Sequence, residues 1–548
     1  MKIALAQLDF IVGHFEHNTG LMIDALARAR SQGADLVVFT ELAICGYPPR
    51  DLLEMDHFID LCEEGVSKIA SQCLGIAAII GAPSRNPQAF GKRLLNSAFL
   101  LAEGEISATY HKGLLPTYDV FDEYRYFEPA SSFKTINFKG KKIALTICED
   151  LWNLDVHALY SMTPMDVLIR EEPDLMINIS ASPFAWSHLA DRHYTFSENA
   201  RQYGLPLFVA NQMGGHAELL FDGQSAVYNP QGGLVGRIDS FTEGIRVFDL
   251  EDVINSQEQP VPLKLSEAEK NEVIYQALVF GIRAYFGKLG LKKAILGLSG
   301  GLDSALTLVL AADALGPENC RAVLLPGPYS TDHSINDAVQ LAQNLGVPFD
   351  IIPINETFGA LQHSLGPYFK GTTPGVAEEN LQARARAVIL MGLANKFGYV
   401  LLNTSNKSEA AVGYGTLYGD MCGGLAVIGD IYKTEAYSLS QYINCIQEII
   451  PVNILNKPPS AELKPDQRDT DSLPPYEILD DILFSYIEKK MSAEAIVAGG
   501  HPEELVKKVL RMVNANEYKR HQTPPILRVS KKAFGSGRKM PLVARFPE

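Results

Sequence analysis

The stretch AILGLSGGLDSALTLVL, from Ala294 to Leu310, decides the reading of the second half of the chain. An apolar run ends at Ser299, two glycines and an aspartate follow, and a second apolar run begins. This order predicts a strand, a tight turn and the start of a helix. Gly300 and Gly301 let backbone N–H groups turn toward an anion. The helix N-terminus adds favourable partial charge for that anion. Ser299 and Ser304 add hydroxyl donors. No lysine stands where a nucleotide-hydrolysing P-loop places one. Asp303 would repel a bare phosphate, but it suits a Mg²⁺ ligand. A lone S-G-G is an ordinary strand–helix turn. The full S-G-G-x-D-S between strand and helix is far more specific.

Working outward, EVIYQALVFGIRAYFGKLG before the loop has helical period. After it KAILGLS, CRAVLLPG, PFDIIPI and YVLLNTSN read as strands separated by helical stretches. That alternation predicts an open parallel α/β sheet with crossover helices. The first half alternates as well. KIALAQLDF, DLVVFTEL, IAAIIGAPS, NSAFLLAEGEI, KKIALTICED, DLMINISAS and LPLFVANQM read as strands. Residues 18–32 read as a helix and VYNPQGGLVGRI as a hairpin. A charged, proline-bearing stretch divides the halves. We therefore expect a domain over 1–252, a linker over 253–266 and a second domain over 267–548. A third, smaller region after about residue 475 is expected to be mostly helical, ending in the basic tail RVSKKAFGSGRKMPLVARF.

Composition narrows the function. The 548 residues are 47% hydrophobic and 20% charged, an ordinary globular balance. At ~100–200 residues per domain, two to four domains are expected. A net charge of −16 argues against non-specific nucleic-acid binding. Anionic substrates must be met by local donors. The seven cysteines include no C-x-x-C pair, which argues against a disulfide framework or zinc ribbon and for a reducing, cytoplasmic setting. The N-terminus is too polar for a signal peptide, and no run of about 18 apolar residues predicts a membrane span.

In the first half, LTICEDLWN puts Cys148 at the end of an apolar strand. Alone, such a cysteine is as often a buried, inert one. Two other strand ends shift the balance: Glu41 in VVFTELAICGY and Lys112 in YHKGLLPTYDVFDEYRYF. A thiol with pKa ~8.5 needs a base and a nearby cation to become a thiolate. Glu41 can take the proton and later activate water. Lys112 can stabilise a tetrahedral oxyanion. The three together can hydrolyse an amide through a thioester.

These motifs, with FTELAICGYPPRDLL and ICEDLW, resemble the nitrilase superfamily, whose members use a Glu–Lys–Cys triad. The resemblance spans roughly residues 1–250 and implies an αββα sandwich. It implies that Tyr118, Ser182 in NISASPFAWSH, and His188, six positions further on, contact glutamine. It also implies that Glu123 orients Lys112, although Glu123 read alone is one of a solvated acidic pair with Asp122.

The loop of the second half resembles the ATP pyrophosphatases of the adenine-nucleotide α-hydrolase fold, a Rossmann-like parallel sheet. The resemblance implies that the segment Gly297, Leu298, Ser299, Gly300, Gly301, Leu302, Asp303 and Ser304 grips the β- and γ-phosphates of ATP. Attack then falls on the α-phosphorus and pyrophosphate leaves, so no P-loop lysine is expected. EENLQARARAVILMGLAN, LLNTSNKSEAAVGYGTLYGD, GDIYKTEAY, KPPSAELKPDQRDTDSL and NEYKRHQTPP are similar to segments of NAD synthetases. By that resemblance Thr404, Lys433 and Ser460 contact ATP, and Asp303 and Glu409 hold Mg²⁺. Asn380, Arg384, Glu409 and Lys519 meet deamido-NAD. Arg386 reads as part of a solvated helix face. Tyr518 replaces the family's histidine, and Leu417 stands where lysine is usual, with Asp420 as a substitute.

An amide-hydrolysing triad and an adenylating loop on one chain explain each other. At neutral pH free ammonia is mostly ammonium, which cannot attack an acyl adenylate. Making it from glutamine within the protein avoids that. The combined pattern resembles the glutamine-dependent NAD synthetases over nearly the whole chain, and implies a homo-oligomer with ammonia channelled between domains. GMP synthetases differ in carrying a Cys–His–Glu amidotransferase domain. A plain amidase with a decayed second half would not keep Ser299–Ser304 and Glu409. A non-enzymatic dinucleotide sensor would bind nucleotide without releasing pyrophosphate.

Overall fold

The structure, a computed structural model, describes residues 1–154 and 159–544. Its internal contacts divide the chain into two units: Met1–Gly215 with Leu220–Lys264, and His216–Leu219 with Leu265–Glu548.

Among the described residues, fourteen strands precede the second unit's main segment, β10 and β11 reaching into His216–Leu219: β1 (Lys2–Gln7), β2 (Leu36–Val38), β3 (Ala77–Arg85), β4 (Leu94–Ala102), β5 (Glu105–His111), β6 (Ile136–Phe138), β7 (Lys141–Ile147), β8 (Leu175–Ser180), β9 (Leu207–Asn211), β10 (Met213–His216), β11 (Leu219–Asp222), β12 (Ala226–Tyr228), β13 (Leu234–Arg237) and β14 (Gly244–Asp249). Twelve of them form two six-stranded sheets, ordered β14-β1-β2-β3-β4-β5 and β13-β12-β9-β8-β7-β6. The middle strands β1–β2–β3 and β7–β8–β9 are parallel and the flanking ones antiparallel. β8 is buried along its whole length, as a strand covered on both faces must be. Ile3, Leu5 and Val38 of one sheet share a core with Ile143, Leu145 and Ile177 of the other. Helices Phe15–Ser31 and Asp56–Ala70 cover the first sheet and His188–Tyr203 the second. This is the expected αββα sandwich.

The first helix begins three residues before the expected start. His14 caps it by accepting from the His17 N–H at 3.3 Å, a cap without a Ser or Asp signal. DLVVFTEL pairs as a strand only over Leu36–Val38, because the chain turns out at Glu41–Cys45. The expected hairpin forms between β12 and β13. The short helix Leu250–Ile254 runs into the stretch read as a linker, its first turn capped by Asp249.

The second unit holds one parallel sheet of β15 (Ala294–Gly297), β16 (Cys320–Leu324), β17 (Phe349–Ile351), β18 (Val400–Asn403) and β19 (Leu425–Ala426), in the order β17-β16-β15-β18-β19. The order reverses at β15, so the crevice beyond the carboxyl ends of β15 and β18 is the switch point where such sheets bind ligands. The chain leaves β15 into Ser299–Ser304 and β18 into Thr404–Glu409. The helix Glu267–Lys288 is capped reciprocally by Ser266 and Glu269.

The region after residue 475 is helical, with helices Tyr476–Ile487, Ala493–Ala498, Glu503–Ala515 and Glu517–Arg520. It is not a separate third body. Leu479, Ile482 and Val509 pack into one core with Ala411, Val412 and Tyr432, the elements that follow β18 and β19. The last four residues of the basic tail lie outside the described residues. Among the described residues no helix is long and apolar enough to cross a membrane, and all seven cysteines are free thiols.

Candidate active sites

In the first unit, β7 ends at Ile147 and the chain turns sharply at Cys148, whose φ is +42°. A non-glycine residue in this region costs about 1–2 kcal/mol, so the surrounding bonds must hold it. Asp150 does so. Its carboxylate accepts from Ile147 N at 3.0 Å, Gly113 N at 3.0 Å, Leu114 N at 2.9 Å and the Tyr110 hydroxyl at 3.0 Å. It thereby ties the Cys148 turn to the segment that carries Lys112. Burial pushes its pKa up to about 6, against the pull of these donors.

Lys112 follows β5, and its Nζ donates to Glu41 Oε1 and to Glu123 Oε2, both at 2.7 Å. Glu41 also accepts from Asn96 Nδ2 at 2.7 Å and, on its other oxygen, from Ala181 N at 3.1 Å. The Glu41 turn packs so closely on β3 that a Cβ on Gly81 would lie 2.3 Å from Leu42 N, so only glycine fits there. Glu123 accepts from the Tyr47 hydroxyl at 2.9 Å, which makes it a buried member of the site and not half of a solvated acidic pair.

Burial draws the Lys112 pKa down, but Glu123 and Glu41 outweigh it and hold it well above its usual value. Burial raises the Cys148 thiol well above its ordinary value; Glu41 adds to this and Lys112 opposes it. The resting thiol is therefore protonated and needs a base to ionise. Burial, then the neighbouring Glu41 charge acting against Lys112, leaves the Glu123 pKa raised to about 7.

Two of the expected glutamine contacts, Tyr118 and Ser182, bond beside Cys148 and Glu41. Ser182 follows Ala181, and its N–H donates to Asn211 Oδ1 at 2.9 Å. His188 opens the helix His188–Tyr203. The Tyr118 hydroxyl donates to Glu149 at 2.9 Å. Glu149 was missed from sequence. It is buried next to Cys148 and also accepts from the Tyr160 hydroxyl at 3.1 Å. Two acids directly after a strand-end cysteine, in CEDLW, were the available signal for Glu149 and Asp150.

In the second unit a cavity of about 300 Å³ opens at the switch point. It is lined by every residue expected to hold ATP except Gly300, and by Glu409. The Ser299 and Ser304 hydroxyls lie 3.0 Å apart, and Gly301 N donates to Ser299 Oγ at 3.2 Å. Gly300 has φ +76°, and a Cβ there would meet Ser334 O at 2.2 Å. Lys433 Nζ pairs with Asp303 Oδ2 at 2.5 Å and lies 3.7 Å from Glu409 Oε1. Asn406 Nδ2 donates to Asp303 Oδ1 at 3.1 Å. Burial and then the Asp303 charge raise the Glu409 pKa to about 8, with Lys433 opposing. The two carboxylates repel each other, and the Lys433 ammonium is the cation that offsets them here. That donor set fits Mg²⁺, which takes one or two carboxylates and completes its shell with phosphate and water. Among the described residues no group of three or more His, Cys, Asp or Glu could hold a metal without such outside ligands.

Asn380, Arg384 and Lys519 do not line this cavity. They bond instead to the loop after Val412. Thr416 Oγ1 donates to Asn380 Oδ1 at 2.8 Å, Arg384 Nε to Leu417 O at 3.1 Å, and Lys519 Nζ to Gly413 O at 2.7 Å and Gly415 O at 2.8 Å. That loop ends at Gly419 and Asp420, which do line the cavity. Arg386 corrects the sequence reading. It is partly buried, lines the cavity and donates from Nε to Leu325 O at 3.0 Å. It shares the inward face of its helix with Ala383, Ala387 and Leu390, a spacing visible in the sequence.

Comparison with known proteins bears on both units. The family model for carbon-nitrogen hydrolases matches residues 2–257, and that for NAD synthases matches residues 274–523. A glutamine-dependent NAD(+) synthetase of Synechocystis is 44% identical over 99% of this chain and 99% of that protein. One from Thermotoga maritima is 40% identical over 100% and 99%. The solved glutamine-dependent NAD+ synthetase of Acinetobacter baumannii, in complex with ADP, superposes with a TM-score of 0.76 at 37% identity, covering 99% of this chain and 98% of that one. The enzyme from Cytophaga hutchinsonii shares the fold, with a TM-score of 0.84 at 21% identity over 99% and 98%. With relatives of this identity along its full length, the chain belongs to the glutamine-dependent NAD(+) synthetase family.

Proposed function

We infer that the two centres serve one ligase reaction: deamido-NAD, ATP, glutamine and water become NAD, AMP, pyrophosphate and glutamate. Glu41 takes the Cys148 proton and the thiolate attacks the glutamine carboxamide carbon. Lys112 stabilises the tetrahedral oxyanion. Glu41 returns the proton to the leaving nitrogen, ammonia departs and a thioester remains. Water, deprotonated by Glu41, then releases glutamate and restores the thiol. Buried Glu149 is the acid suited to the glutamine ammonium; Tyr118, Ser182 and His188 complete the binding set.

In the second unit, the nicotinate carboxylate attacks the α-phosphorus of ATP and pyrophosphate leaves. Ammonia displaces AMP from the resulting acyl adenylate. The Ser299–Ser304 loop, Thr404, Lys433 and Ser460 hold ATP, and Arg386 adds a cation to the same cavity. Asn380, Arg384 and Lys519 shape the deamido-NAD side through the 413–420 loop. Asp303 and Glu409 hold Mg²⁺, which when bound offsets charge on the phosphates. Passing ammonia inside the protein keeps it unprotonated. The enzyme works as a homo-oligomer in the cytoplasm.

The observation that carries this reading is the phosphate-loop cavity with Asp303, Glu409 and Lys433 in it, on a chain that also buries a thiol beside Glu41 and Lys112. The test is to supply deamido-NAD, ATP and Mg²⁺ with glutamine or ammonium and to measure NAD, AMP and pyrophosphate. Stoichiometric formation of all three with both nitrogen sources is expected. Nucleotide binding without pyrophosphate would favour the sensor.

A further inference from the structure

One wall of the synthetase cavity carries a cation and a hydroxyl that the reaction above does not use, with a second hydroxyl beside them. Lys457 Nζ donates to Glu462 Oε1 at 2.6 Å. Onto the same oxygen, Ser334 Oγ donates at 2.6 Å and Thr331 Oγ1 at 3.3 Å. Lys457 also bonds Ser334 Oγ. Thr331 caps the helix Asp332–Leu345, accepting from Ser334 N at 3.3 Å. This donor set abuts the phosphate loop, because the Ser334 carbonyl takes the space a Cβ on Gly300 would need. Ser334, Lys457 and Glu462 line the cavity together with Ser299, Asp303 and Lys433.

One ammonium and two hydroxyls on a single anionic oxygen is the arrangement that binds a phosphate oxygen. Here the anion is the protein's own. We propose that Thr331, Ser334 and Lys457 form a second phosphate subsite, taking the terminal phosphate of ATP and then the pyrophosphate product, and that the Glu462 carboxylate occupies it beforehand. The inference rests on the ATP-cleaving role argued above. A carboxylate and a phosphate cannot both use these donors, so Glu462 competes with the phosphate and leaves to solvent when it binds. The internal carboxylate also keeps Lys457 neutralised between turnovers, which weakens retention of pyrophosphate and speeds its release. Glu462 N donates to Ser460 Oγ at 3.2 Å, so the exchange is felt at an expected ATP contact.

The test uses the full chain with ammonium as nitrogen source and inorganic pyrophosphate as probe. Inhibition constants for pyrophosphate and for AMP are measured in wild type, Lys457→Met and Glu462→Gln. Lys457→Met should weaken pyrophosphate inhibition by about 10- to 100-fold, the loss expected for a hydrogen bond to a charged group, and leave AMP inhibition within about twofold. Glu462→Gln should strengthen pyrophosphate inhibition. Equal shifts for both products, no shift, or weakening by Glu462→Gln would mean that the pair only clasps the segment, and would overturn the proposal. If wild type releases no AMP and pyrophosphate, the ATP-cleaving role itself fails. Calorimetric titration of the same three proteins with Mg²⁺-pyrophosphate then still decides the subsite by the same order of affinities.

Discussion

Lys112 Nζ lies 2.7 Å from Glu41 Oε1, and solvent reaches neither side chain. The pair binds charge to charge inside the sandwich, where an unpaired partner is expensive. Glu41→Gln keeps the shape and removes the carboxylate proposed as the base. Glutamine-dependent NAD formation should fall by at least ~10²-fold, in the range for loss of a general base. Ammonium-dependent formation should remain within about twofold. Lys112→Met leaves two buried carboxylates without their cation, and should also lower unfolding free energy by about 3–5 kcal/mol. Parallel rate and denaturation measurements check both; equal loss with both nitrogen sources would contradict the assignment.

Stability should record the raised pKa of Glu123. The unfolded carboxyl titrates near its ordinary value, whereas the folded one stays protonated up to about pH 7. Between these values the folded state binds more protons, so this group's contribution falls as pH rises through the window and is level above it. The difference in unfolding free energy between wild type and Glu123→Gln should therefore decline from about pH 4.5 to 7 and then flatten. A difference independent of pH would show that Glu123 is ionised throughout.

Asp303 meets Lys433 and Asn406 at the mouth of the phosphate loop. Asp303→Ala should reduce kcat/KM for ATP by ~10- to 100-fold with glutamine and with ammonium alike. Raising Mg²⁺ should recover part of the loss. Normal turnover would remove Asp303 from the metal site.

Asp480 is a positioning residue for the same cavity. Its carboxylate accepts from Ser408 Oγ at 2.5 Å and from Thr434 N and Oγ1 at 2.9 and 2.8 Å, while Ser408 Oγ accepts from Lys433 N at 2.9 Å. It joins the starts of the helices Lys407–Val412 and Lys433–Ile443, which carry Glu409 and Lys433. Asp480→Ala should cost about 1–3 kcal/mol of stability. It should raise KM for ATP with both nitrogen sources and leave glutamine hydrolysis unchanged. Asp480→Glu rescuing stability but not KM would show that placement, and not charge alone, is what matters.

The residues legible in sequence are those whose chemistry is written locally. Ser299–Ser304 announces its turn by its own glycines, and Cys148 and Glu41 each follow an apolar strand, whereas Lys112 follows the mixed strand EISATYH. Arg386 was misread although its spacing to Ala383 and Leu390 places it inward, because arginine on a helix is usually solvated. Asp480 and the Lys457–Glu462 contact with Ser334 were not legible, since their meaning lies in partners brought close only by the fold. Glu123 and Asp122 are adjacent acids with similar flanks, and only Tyr47 and Lys112 distinguish the buried one.

In the proposed reaction Cys148 supplies ammonia to a separate adenylating centre on the same chain. The most direct measurement is NAD formation by Cys148→Ala from deamido-NAD and ATP, with glutamine and then with ammonium. No NAD is expected with glutamine, and near wild-type NAD, AMP and pyrophosphate with ammonium. Loss of synthesis with ammonium as well, in a protein that remains folded, would contradict it.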